Sequence, residues 1–244
     1  MKPHIEVEAD GEAVAQAAKR RVVELCEVAV QERGRFTLAL SGGSTPRRLY
    51  ELLATESLPF KKMFFFFGDE RHVPPDDEQS NFRMAKEAFF SRTPVPAQNI
   101  HRIRGELLNA GDAAQRYEET LRKFFALPDG EFPRLDCVLL GLGADGHTAS
   151  LFPGTEGLLE TKKWVIGQRV EKLQTERISL TPPMLNAARA VIFLVQGADK
   201  AEPVHAALEV QGPAEELPAR VVQPAPGGLW WILDRAAASK LSAQ

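Results

Sequence analysis

An acid and a histidine stand two positions apart in the run Cys137 to Phe152, Cys-Val-Leu-Leu-Gly-Leu-Gly-Ala-Asp-Gly-His-Thr-Ala-Ser-Leu-Phe. The opening apolar residues read as a buried strand, and the three glycines that follow leave Asp145 and His147 on almost bare backbone. An imidazole titrates near neutral pH, so His147 in such a setting can take a proton from water as a general base. The same letters spell Gly-x-Gly-x-x-Gly through Gly141, Gly143 and Gly146, the pattern of a dinucleotide loop. That reading fails on its context. Pro153 and Gly154 cut short the helix that would carry a pyrophosphate, and no acid closes a following strand.

Three more junctions carry chemistry-bearing side chains. Ser41-Gly42-Gly43-Ser44-Thr45-Pro46 offers free backbone, two hydroxyls and the opening N–H groups of a helix, which suits a phosphate. A tight turn with a Ser/Thr cap accounts for it equally well, and the Gly-Lys-Ser/Thr ending of a P-loop is missing. In Gly68-Asp69-Glu70-Arg71-His72, Asp69 and Arg71 alternate and so share a side of an extended segment, where they can hold a polar substrate and steady negative charge. Glu70 and His72 read as solvated loop residues. Lys200, in Gly197-Ala198-Asp199-Lys200, falls in the first turn of a predicted helix, where a cation opposes the dipole unless it faces an anion. Arg177, just before Ile178 to Leu180, is a weaker candidate for the same task. No Gly-x-Ser-x-Gly elbow and no His-Glu-x-x-His pair occurs, so neither a side-chain nucleophile nor a metal is indicated.

The elements that must position these residues alternate along the chain. Helices are predicted over Val14 to Val30 (Asp10 as cap, Gly34 past the end), Pro46 to Leu53 with proline first, Ser80 to Phe90, Asp112 to Phe125 and Asp199 to Leu208. Strands are predicted at Phe36 to Leu40, Met63 to Phe67, Val138 to Leu140, Ala190 to Val195 and Leu229 to Leu233, the last after a Gly227-Gly228 turn. Alternation of this kind implies an α/β fold with a mainly parallel sheet and helices on both faces, here as a single domain over residues 1–244. The Pro-rich pieces Thr93 to Pro96 and Gly212 to Pro226 read as surface loops. In such sheets ligands bind beyond the carboxyl ends of the strands, where all four junctions lie.

The chain has 244 residues, 44% hydrophobic and 26% charged, with a net charge of −3. Nucleic acid is a poor partner for that balance, and no apolar run reaches the roughly 18 residues of a membrane span. The first residues lack the apolar core of a signal peptide. Cys26 and Cys137 read as buried thiols in a reducing, cytoplasmic compartment. A monomer or small homo-oligomer is expected.

Four blocks in order, Ser41-Gly-Gly-Ser-Thr-Pro46, Gly68-Asp-Glu-Arg71 with Ser80-Asn81, Gly141 to Pro153 and Arg177-Ile-Ser-Leu-Thr181, resemble the 6-phosphogluconolactonases across nearly the whole chain. The resemblance implies a Rossmann-like α/β fold, a superfamily shared with glucosamine-6-phosphate deaminases, and hydrolysis of 6-phospho-glucono-δ-lactone, the second step of the oxidative pentose phosphate pathway. It implies a sugar-phosphate substrate and no cofactor or essential metal. The deaminases carry Asp-Glu-Tyr where this chain has Asp69-Glu70-Arg71, and a glutamate five positions after the histidine, where this chain has Phe152. The lactonase reading is therefore preferred over a deaminase-like isomerase. A non-catalytic sugar-phosphate sensor is the third possibility, disfavoured by the histidine and acids together and by the lack of any DNA-binding or partner domain. In the expected mechanism His147 is the base, Asp69 or Asp145 orients it, and Arg71 holds substrate or the oxyanion. Ser41, Gly42, Gly43, Ser44, Thr45 and Lys200 take the phosphate, with Arg177 in reserve.

Overall fold

Along residues 2–242, which the computed structural model describes, the order is β1 (His4–Glu8), α1 (Gly11–Arg33), β2 (Phe36–Leu40), α2 (Ser44–Leu53), β3 (Met63–Phe67), β4 (Asp69–Arg71), α3 (Asn81–Ala88), α4 (Ala110–Phe125), β5 (Cys137–Leu140), β6 (Val165–Val170), β7 (Thr175–Leu180), α5 (Pro182–Asn186), β8 (Ala190–Val195), α6 (Ala201–Leu208) and β9 (Gly228–Asp234). Local chemistry sets several boundaries as the sequence leads one to expect. Asp10 caps α1 by accepting the Ala13 N–H at 2.9 Å, and Gly34 ends the helix in the left-handed conformation. Others shift by one or two residues. The third and fourth helices begin one residue after and two before their predicted starts, because Ser80 and Asn109 act as caps outside them. Pro46 sits in the third position of α2 rather than the first, and Gly228 already pairs in β9 instead of turning.

Six strands form a wholly parallel sheet in the order β1-β9-β8-β5-β2-β3. Residues of β2, β5 and β8 are buried throughout, as strands covered on both faces must be. β3 shows the two layers directly. Phe66 packs against Phe124 and Phe125 of α4, whereas Phe65, pointing to the opposite face, packs against Phe89 and Phe90 after α3. The register sets Leu40 level with Phe67 and Leu140 level with Phe193, so the carboxyl ends of neighbouring strands emerge together.

A second, antiparallel sheet, β4-β7-β6, was not foreseen. Its strands carry polar and charged residues, Asp69-Glu-Arg71 and Thr175-Glu-Arg177, so they lack the apolar runs that reveal the main sheet. Gly68 bridges the two sheets, donating to Leu40 O and accepting from Leu180 N, each at 2.8 Å. The segment 212–226 is also more than a surface loop. Pro218 and Ala219 are buried in a short 3-10 turn, and the Ala219 N–H bonds Gly146 O at 3.0 Å, bracing the glycine-rich turn from outside. No helix is long and apolar enough to cross a membrane among the described residues.

Candidate active site

The four junctions meet around a cleft of 460 Å³ beyond the carboxyl ends of β2, β3, β5 and β8. After β5 the chain does not enter a helix. It folds into a tight turn closed by Gly143 N–H to His147 O at 2.8 Å and Gly146 N–H to Gly143 O at 3.0 Å. Gly146 has φ 77°, a left-handed value that a residue with Cβ rarely takes, and this reversal turns Asp145 and His147 toward each other. Asp145 Oδ1 lies 2.5 Å from His147 Nδ1. A carboxylate only accepts, so Nδ1 carries a proton, which makes Nε2 the acceptor of the neutral ring.

Two neighbours fix this pair. Lys172, on the β6–β7 connection, reaches the other Asp145 oxygen at 3.0 Å. Burial works to raise the Asp145 carboxyl, but its bonds to His147 and Lys172 outweigh that and hold it at about 2. On the ring's flat side Phe152 stacks with centroids 4.3 Å apart. Gly143 is needed for space, because a Cβ there would stand 2.0 Å from His147 Nδ1.

Asp69 does not touch the imidazole. Its carboxylate accepts the Ser150 hydroxyl at 2.7 Å and the Asn81 amide at 3.2 Å, so of the two candidate orienting acids only Asp145 is in place. Asp69 and Arg71 both line the cleft, as their alternation on β4 requires. Arg71 bonds the Gln79 carbonyl. Glu70, between them, points the other way and is only 2% exposed, so the expectation of a solvated residue was wrong. Its carboxylate accepts the N–H groups of Arg71, Asn81 and Phe82 and the Ser80 hydroxyl at 2.8 to 3.1 Å, pinning the start of α3 to β4. Desolvation pushes its carboxyl up against the pull of these donors. His72 is likewise held, with Nε2 2.7 Å from Leu107 O and Nδ1 3.3 Å from Glu176. A three-residue run of charges gives no local sign of which members a second sheet will cover.

At the opposite wall the Ser41–Thr45 loop presents the start of α2, whose first turn holds no acid. Tyr50 clamps the loop, accepting the Ser41 N–H at 2.9 Å and donating to Ser41 O at 2.8 Å. Ser41 Oγ is buried with no hydrogen-bond partner among the described residues, a donor suited to an anion's oxygen. Lys200 faces the same space but closes a 3-10 turn over Ala198–Lys200 and caps α6, rather than lying in its first turn. Its Nζ is 3.1 Å from Asp199. Arg177 is not on the cleft wall. It sits opposite Arg71 in the β4–β7 pairing and bonds Thr175 Oγ1 and Glu176 O, its guanidinium pushed down by burial and by the Arg71 charge.

Gln196, which donates to Ser44 Oγ at 3.3 Å, also lines the cleft and went unnoticed in the sequence, as did Lys172. The first directly follows a buried strand, a usable signal; the second carries none. Among the described residues no three His, Cys, Asp or Glu side chains gather as metal ligands do. The arrangement as it stands can polarise a water at His147 Nε2, steady an oxyanion with Arg71, and hold a doubly charged group between α2 and Lys200.

The chain is similar to known proteins in sequence and in fold. The family model described as glucosamine-6-phosphate isomerases/6-phosphogluconolactonase matches residues 9–231. The 6-phosphogluconolactonase of Nostoc sp. strain PCC 7120 is 44% identical over 246 residues, covering 99% of this chain and 100% of that protein. The 6-phosphogluconolactonase structure from Trypanosoma cruzi superposes with a TM-score of 0.89 at 30% identity, covering 99% and 98% of the two chains. A monomeric glucosamine-6-phosphate deaminase has the same fold, with a TM-score of 0.79 at 23% identity. With the family model spanning most of its length and a full-length relative at 44% identity, this chain belongs to the glucosamine-6-phosphate isomerase/6-phosphogluconolactonase family.

Proposed function

We propose that this protein hydrolyses 6-phospho-D-glucono-1,5-lactone to 6-phospho-D-gluconate, the second step of the oxidative pentose phosphate pathway. The observation that carries this reading is the Asp145–His147 pair facing an anion cradle across one small cleft. His147 Nε2 takes a proton as water adds to the lactone carbonyl, and the new carbon–oxygen bond leaves a tetrahedral oxyanion beside Arg71. When that intermediate collapses the ring ester bond breaks, and the imidazolium returns its proton to the leaving ring oxygen. Asp145 keeps the imidazole in the accepting tautomer and balances the charge it acquires. The 6-phosphate binds the Ser41–Thr45 loop and Lys200.

Two observations favour hydrolysis over amino-sugar isomerisation. The residue five positions after His147 is Phe152, whose ring covers the imidazole, so no second carboxylate is present there to shuttle protons. Arg71 supplies a cation where charge develops in ester hydrolysis. The two buried free thiols suit a reducing, cytoplasmic setting.

The test is direct: hydrolysis of freshly generated 6-phosphogluconolactone, corrected for its spontaneous rate. His147→Ala should lower kcat by roughly 10²–10⁴-fold with a smaller change in KM. Unchanged turnover in that variant would sink the assignment of the base. A wild-type protein that binds 6-phosphogluconate yet never exceeds the spontaneous rate would instead be a sensor.

A further inference from the structure

The strands that bear the cleft at their carboxyl ends carry a second charged cluster at their amino ends. Arg35 precedes β2, Asp136 precedes β5 and Arg189 precedes β8, three adjacent strands of the main sheet. Together with Arg33 and Arg134 they surround a pocket of 560 Å³, which Phe125 and Phe132 help to line.

The charges in this pocket do not balance. Asp136 is already committed, its Oδ2 accepting the Thr37 N–H and hydroxyl at 2.8 Å each and its Oδ1 accepting Arg33 Nε at 3.0 Å. The other three guanidinia hydrogen-bond no carboxylate among the described residues. Arg35 lies over the Phe124 ring, 4.8 Å from its centroid. Arg134 donates to the Ala187 and Pro226 carbonyls. Arg189 Nε is buried without a hydrogen-bond partner, 3.5 Å from Asp136 Oδ1. Burial and the charges of Arg33 and Arg134 push the Arg189 guanidinium below its ordinary value, so like charges do crowd here. Glu131, the other acid of the lining, is exposed.

A cluster that only tied strand ends together needs one cation for its one buried acid. Guanidinium groups with unmatched N–H donors, gathered at a half-enclosed pocket, match the oxygens of a phosphate, which they bind in pairs. We propose that this pocket binds a small phosphate-bearing anion, held by Arg189, Arg134 and Arg35, at the end of the sheet opposite the cleft. Its occupant does not compete with a ligand of the cleft for space, because β2, β5 and β8 run their full lengths between the two. This site does not depend on the reaction proposed above.

Amide NMR shifts of the full chain, titrated with pyrophosphate and separately with ADP in low-salt buffer, test the proposal. Two groups of amides should respond with separate midpoints, residues 41–45 at the cleft and residues 35–37, 135–136 and 189–190 at the arginines. In an Arg134→Gln/Arg189→Gln double variant the second midpoint should rise by at least about tenfold while the first stays put. Equal midpoints for the two probes mean that the phosphates alone are read; a tighter ADP midpoint adds the Phe125 and Phe132 wall, and either supports the site. Shifts confined to residues 41–45, or a second midpoint unmoved in the variant, would overturn it. If the double variant fails to fold, Arg35→Gln, at an exposed position, must weaken the second midpoint in the same way.

Discussion

Replacing Asp145 with asparagine tests the Asp145–His147 pair most sharply, because it keeps the shape and removes only the charge and the acceptor-only character. When His147 takes a proton, a cation forms beside the carboxylate, whose oxygen is 2.5 Å from Nδ1. With charge centres about 4 Å apart and an effective dielectric near 20, that attraction is about 4 kcal/mol. Asp145 is a quarter exposed and His147 a third, which reduces it to about 2.7 kcal/mol, and Asp145→Asn should lower kcat about 100-fold. KM should barely move, since Asp145 is not on the cleft wall. Initial rates on freshly made lactone, with the spontaneous rate subtracted, measure this. Stability supplies an independent arm. The Asp145 carboxyl is depressed from 3.8 to about 2, so it stabilises the fold fully above 3.8, and the contribution is lost as the pH falls through about 2. Unscreened, the shift is worth about 2.4 kcal/mol, and partial exposure reduces it to about 1 kcal/mol. Asp145→Asn should therefore be less stable than wild type at pH 7, with the difference gone only below about pH 2. A folded variant whose kcat stays within about threefold of wild type would refute the reasoning, since a loss of 2.7 kcal/mol cannot leave the rate so nearly intact.

Three further outcomes follow from the same geometry. Ser41→Ala and Lys200→Ala should each reduce the preference for phosphorylated over plain gluconolactone by about tenfold in kcat/KM, the loss of one charge-assisted bond; an unchanged preference in both would place the phosphate elsewhere. Gly143→Ala, whose new Cβ would stand 2.0 Å from the imidazole, should lower kcat by about 100-fold through displacement of His147, read in the same assay, while wild-type kcat would mean that the turn gives way freely. Glu70→Ala leaves the N–H of Arg71 and two N–H groups at the start of α3 without their acceptor and should cost about 2–3 kcal/mol in thermal or urea unfolding, whereas a solvated Glu70 would cost almost nothing.

Five of the six strands of the main sheet were legible in the sequence because they are short apolar runs, and α1 because it carries its own caps. The edge strand β1, His-Ile-Glu-Val-Glu, was missed because three of its five residues are polar or charged. Met63 to Phe67 and Ala190 to Val195 announce burial on both faces, and Asp10 and Gly34 mark a helix by their residue types alone. The small sheet was not legible, since β4 and β7 gain their burial from each other and from the main sheet rather than from an apolar pattern. Glu70 was misread for that reason: its partners beyond β4 lie at the start of α3, ten to twelve residues on, and no property of the run Asp69 to His72 distinguishes an inward acid from an outward one.

The candidate site divides along the same line. The sequence by itself determined that a histidine, two acids, an arginine and a phosphate-type loop stand at strand ends, because strand and turn propensities are local and parallel topology gathers those ends on one side. Only the tertiary structure decided which acid serves the histidine. Asp145 pairs with it through the reversal at Gly146, while Asp69 is drawn away by Ser150 and Asn81. It also brought Lys172 to Asp145 from 27 residues away, seated Phe152 on the imidazole, and withdrew Arg177 from the cleft wall. The Asp145 and Phe152 contacts depend on the path of one glycine turn in space, and the placements of Asp69, Lys172 and Arg177 on contacts between segments remote in sequence, set by how two sheets pack and not by any pattern along the chain.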